Sequence, residues 1–142
     1  MSRKTKRKFS ASSRDGGGFI AIPLQVLNSA AYMNLSHPAK ALLTEAAMQF
    51  HGDDNGRMIL TRKHLAPRGW KSHDVIVRAT RELIGAGFIY QTVQGMRPNR
   101  AAWYAVTWQA LDKLDGFDPG AEAGFERSAY LRKTQPLARL AG

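Results

Sequence analysis

The chain has 142 residues, 44% of them hydrophobic and none of them cysteine, which suffices for one domain with tails and excludes disulfides and thiolate-held zinc. Its apolar runs, such as 46–48 and 88–90, fall far short of the roughly 20 residues that cross a bilayer, and the basic N-terminus has no apolar segment before Gly16, so neither a membrane span nor a secretory signal is expected. The net charge of +10 is concentrated, with six basic groups against Asp15 in residues 1–15 and nine against Asp74 and Glu82 in residues 57–100; such a field attracts polyanions.

Residues 1–18 are basic, serine-rich and end in three glycines, a composition that buries no apolar surface and predicts a flexible arm. Phe19 to Ile22 before Pro23 reads as extended, because the residue preceding proline avoids helical angles, and one or two helical turns are expected between Pro23 and Tyr32. Ser36 caps a helix with Pro38 in its first turn and apolar residues at Ala39, Leu42, Leu43, Ala46, Ala47 and Phe50, the i, i+3, i+4 rhythm. Gly52 and the Asp53-Asp54-Asn55-Gly56 cluster end it, and Met58-Ile59-Leu60 is long enough for a brief strand.

Thr61 caps a short helix through Leu65, and Pro67-Arg68-Gly69 forces a turn. Ser72 then caps a longer helix that runs to about Ala86 and stops at Gly87, with Ile76, Ala79, Leu83 and Ala86 on one face. Residues 88–93 and 103–108 are rich in aromatic and β-branched residues, and the loop between them holds Gly95 and Pro98, which predicts a hairpin with a basic tip. Residues 112–142 balance five basic against five acidic groups and carry a weak helical pattern from Ala121 to Lys133. Those residues leave open whether the tail packs on the domain, mediates a homodimer or a contact with a protein partner, or stays disordered.

Helix, strand, helix, turn, helix, hairpin is the order of a winged helix-turn-helix, a mainly α fold with a small β-hairpin wing (α+β). The run Gly69-Trp70-Lys71-Ser72, then Val75 to Arg81, Glu82-Leu83 and Gly87-Phe88-Ile89 resembles the turn, recognition helix and first wing strand of bacterial winged-helix proteins. Trp103-Tyr104-Ala105-Val106-Thr107-Trp108 is similar to the second wing strand of small helix-turn-helix proteins of phages, plasmids and integrated elements. The likeness covers residues 19–111, with residues 1–18 as arm and 112–142 as tail. It implies a cytoplasmic, nucleoid-associated regulator of transcription acting on double-stranded DNA, or an origin-binding replication factor on the same scaffold.

A helix of this kind enters the major groove and offers exposed side chains to base edges. Lys71, Ser72, His73, Val77, Arg78 and Arg81 are the candidates there. Arginine's fork bonds bidentately to guanine or clamps a phosphate; the plainer alternative pairs these arginines with Asp74 or Glu82 at helical spacing. In the wing, Arg97, Asn99 and Arg100 suit a phosphate ridge or a minor groove, and Arg62, Lys63 and Arg68 reach for backbone phosphates. Arg3, Lys4, Lys6, Arg7 and Lys8 of the arm serve a nucleic-acid contact or solubility. Trp103, Tyr104 and Trp108 read as core rather than as base-stacking platforms.

No catalytic constellation appears. His37, His51, His64 and His73 form no pair at metal-ligand spacing, and the glycines after Asp15 lack the lysine and serine of a phosphate loop. Neither an enzyme nor a metal or cofactor site is expected. The rival from another class is a winged-helix adaptor that docks a protein.

Overall fold

Pro23, at φ −58° with an extended ψ, starts helix α1 (Leu24–Leu27), since proline's fixed φ suits a first turn. Ser29 separates that turn from α2 (Ala30–Met33): its hydroxyl donates to the Val26 carbonyl at 2.7 Å and accepts from Tyr32 N–H at 3.1 Å. The computed structural model to which these elements belong describes residues 13–96 and 98–132.

Helix α3 (His37–Ala47) begins at the Ser36 cap, with Pro38 in the first turn, and buries Ala39, Leu42, Leu43, Ala46 and Ala47. Met58 pairs with Tyr104 as an isolated antiparallel bridge, each N–H donating to the other's carbonyl at 2.9 Å. The strand expected over 58–60 goes no further. On the side facing away from β2, the Gln49 side-chain amide accepts from Ile59 N–H and donates to the Ile59 carbonyl, both at 2.8 Å.

Helix α4 (Arg62–Leu65), capped by Thr61, continues into a 3-10 turn, η1 (Ala66–Arg68), that closes on Gly69 at φ +96°. Only a residue without Cβ adopts that angle easily. Helix α5 (His73–Gly85) starts where Ser72 accepts from Val75 N–H at 3.2 Å and packs Ile76, Ala79 and Leu83 inward. Strands β1 (Ile89–Val93) and β2 (Trp103–Val106) form an antiparallel hairpin with a bulge between Gln91 and Val93. They stop short of the 88–93 and 103–108 limits expected; beyond them Thr107 N–H still donates to the Phe88 carbonyl at 3.0 Å and its hydroxyl donates to the Gly87 carbonyl at 2.6 Å. Among the described residues the chain is therefore α+β, helices with one two-stranded sheet.

The expected domain edge at residue 111 falls inside the packed body. Asp112 accepts from Asn55 N–H at 2.8 Å, and Tyr130, 1% exposed, stacks on Phe88 with ring centroids 5.0 Å apart. The single helix expected from Ala121 is replaced by two turns, α6 (Ala121–Gly124) and α7 (Ala129–Arg132). Phe125 is extended between them to set its ring edge-on to Tyr90, and Ser128, at φ +60°, donates its N–H to the Thr107 carbonyl at 2.7 Å. Tertiary packing outweighs helical continuity in a segment whose intrinsic helix preference is weak. Gly87 permits the docking: a Cβ there would lie 2.7 Å from the backbone of Ala129 and Tyr130.

Candidate nucleic-acid interface

The α4–η1–α5 unit is assembled by short polar side chains at each start and by glycine at the turn. Thr61 and Ser72 each accept a backbone N–H of the following helix, His64 at 3.2 Å and Val75 at 3.2 Å, which satisfies donors that a helix start leaves over. On α5, successive residues advance by about 100°, so Asp74, Val77, Arg78 and Arg81 share an arc of about 100° opposite the buried Ile76, Ala79 and Leu83. Lys71, Ser72, His73, Asp74, Arg78 and Arg81 are exposed, and Val77 is half-buried.

Charge pairing divides this unit sharply. Arg78 Nε meets Asp74 Oδ2 at 3.1 Å, with both side chains at least 70% exposed. Arg62, Lys63, Lys71 and Arg81 make no ion pair among the described residues. The nearby carboxylates are turned to other work. Glu82 accepts from both the backbone N–H and the hydroxyl of Ser36 at 2.7 Å, locking α5 to the start of α3. Glu45 accepts from Arg68 Nε at 2.9 Å and from the Trp70 indole N–H at 3.4 Å. Arg68 is thus fastened to α3, where its other nitrogen also contacts Met48 sulfur at 3.3 Å.

At the hairpin tip Met96 and Arg100 pair through two backbone hydrogen bonds of 2.8 Å, leaving Pro98 and Asn99 exposed at the turn. The Arg100 guanidinium meets Asp118 at 3.2 Å, while the other Asp118 oxygen accepts from Gln94 N–H at 2.7 Å. A groove of about 620 Å³ joins Lys63 at the start of α4 to Asn99 and Arg100 at the tip. Sequence-predicted residues from two separate elements, α4 and the hairpin, thereby line one depression. Arg97 and the arm residues Arg3, Lys4, Lys6, Arg7 and Lys8 lie outside the described residues.

The three hairpin aromatics part company. Tyr104 and Trp108 enter the core, whereas Trp103 meets Phe117 edge-on at 6.5 Å and carries the Arg57 guanidinium 5.3 Å above its ring. Sequence reasoning missed Glu82 and Trp70 as joints of the unit, because their partners Ser36 and Glu45 lie 46 and 25 residues away. Among the described residues no group of three or more metal-ligating side chains occurs, and no helix is long and apolar enough to cross a membrane. Comparison with protein-family models, curated proteins and solved structures finds no match to this chain.

Proposed function

We propose that the chain is a winged helix-turn-helix protein that binds double-stranded DNA in a sequence-dependent way and regulates transcription of a bacterial mobile element. Helix α5 enters the major groove, and the hairpin acts as the wing against the backbone or the minor groove. The element order supports the fold reading: Met58 lies on the free side of β2, which gives the strand order Met58, β2, β1 beside the α3, α4, α5 trio.

The observation that carries the functional reading is the pairing pattern of the helical unit. Glu45 and Glu82 are consumed by contacts to Arg68, Trp70 and Ser36, while Arg62, Lys63, Lys71 and Arg81 stay exposed and make no ion pair among the described residues. Apart from the Asp74–Arg78 pair, the excess of cations on this unit is not offset by neighbouring acids, which leaves a local positive field. Unpaired cations beside a helix start suit a phosphate backbone.

The test is selection from a randomised duplex library with the full chain, followed by genomic occupancy. Recovery of a common motif, and its occurrence at promoters, is the expected result. Recovery of no motif would remove sequence reading, and occupancy confined to a replication origin would replace transcription with initiation.

A further inference from the structure

Asp74 is out of place on a face that is to meet phosphates. Acids in residues 57–100 are limited to Asp74 and Glu82, and Glu82 is held by Ser36. Asp74 alone of the two projects into solvent, 76% exposed, one helical turn before Arg78. A carboxylate there repels the DNA backbone at close range. It also favours the helix start through the helix dipole, a service that an acid elsewhere in the first turn would provide without facing the ligand.

Its contact gives it another use. Asp74 Oδ2 lies 3.1 Å from Arg78 Nε, the nitrogen at the inner side of the guanidinium fork. Engaging Nε leaves the two terminal nitrogens pointing outward in one plane and restrains a side chain that otherwise loses much rotamer freedom on binding. Guanine offers O6 and N7 to a planar donor fork in the major groove. The same carboxylate discourages Arg78 from spending its charge on a phosphate.

We propose that Arg78 is the guanine-reading residue of this chain and that Asp74 is its positioning residue, which trades general affinity for base discrimination. The proposal rests on the DNA-binding reading above and deepens it. Val77 and Arg81 flank the pair on the same arc, and Arg81, without such a partner among the described residues, serves the backbone.

The test titrates wild type, Arg78→Ala, Asp74→Ala and Asp74→Glu against the library-selected duplex, against that duplex with each guanine replaced in turn, and against random duplex. Thermal melting confirms that each variant is folded. Arg78→Ala should erase the preference at one guanine, a loss of roughly 5- to 150-fold. Asp74→Ala should weaken preference at that same guanine by about 2- to 5-fold, the scale of an exposed helical pair, while binding to random duplex tightens. Asp74→Glu should restore part of the discrimination. These opposite signs distinguish positioning from a contribution to helix stability, which would move both duplexes together. Failure of every variant to alter any binding would overturn Arg78 as the reader and with it the use of this helix face, whereas recovery of no selected duplex at all would overturn the DNA-binding reading. Loss on Arg78→Ala, with Asp74→Ala moving all duplexes alike or none, would leave that reading intact and overturn the role of Asp74.

Discussion

Asn55 and Arg81 are both polar residues on or beside turns and helices, yet the fold uses them in opposite ways. Asn55 is 0% exposed, and its amide donates to the carbonyls of Val106 at 3.0 Å and Ala110 at 2.9 Å while accepting from Val106 N–H at 2.9 Å. Arg81 is exposed and has no ion pair among the described residues. Around Asn55 the chain satisfies its own backbone, tying the turn before Met58 to the segment that follows β2. Around Arg81 it leaves donors free. Polar residues in the first region hold structure, and those in the second are available to another molecule.

The comparison breaks first if the packed region fails to behave as core. Tyr130→Ala removes a fully packed ring from beneath Phe88 and should cost about 3–5 kcal/mol, read by denaturant unfolding. An unchanged midpoint would show that residues 112–132 contribute little to the body. Asn55→Ala leaves the buried N–H and carbonyl of Val106 without their partner and should cost about 2–3 kcal/mol. Glu82→Ala unlocks α5 from the Ser36 cap at about 1–2 kcal/mol, and a double-mutant cycle with Ser36→Ala should show strong non-additivity.

The exposed region should answer differently. Lys63→Ala should leave the melting temperature within about 1 °C of wild type, since surface changes stay near ±0.5 kcal/mol, and should lower the salt slope of DNA binding by about one. The smallest effect expected lies at the turn before Met58. Burial of Asp54 opposes its ionised form, but hydrogen bonds from the His51 backbone and ring outweigh it and hold the carboxyl below its ordinary value. A lowered carboxylate pKa gives stability that is present above the ordinary carboxylate value and disappears as pH falls through the lowered one. Asp54→Asn should therefore shift the melting temperature slightly at neutral pH and not at all in strong acid.

Legibility in the sequence followed the range of the interaction. Ser36, Thr61 and Ser72 cap the helices they were expected to cap, because capping joins residues three apart. The inward stripe of α5 is likewise a matter of helical period. The tail was not readable: Tyr130 stacks on a ring 42 positions earlier in the chain, and Gly87 reveals its purpose only when Ala129 lies against it. At the candidate interface the residue types were legible and their pairing was not. Arg68 and Arg81 look alike in sequence; Glu45, 23 residues from Arg68, separates them.

Binding of duplex DNA by the α5 face is measured most directly by one titration. Wild type and an Arg78→Ala, Arg81→Ala double variant, each confirmed as folded by melting, are titrated with the selected duplex at several salt concentrations. Four cations without an ion pair among the described residues, Arg62, Lys63, Lys71 and Arg81, at about 0.9 per phosphate predict a wild-type log–log slope of about −3.6 or steeper. The double variant should bind more weakly by about 2–5 kcal/mol at the selected site, with a slope shallower by about one. A flat wild-type plot, or a folded double variant that binds as wild type does, would contradict the claim.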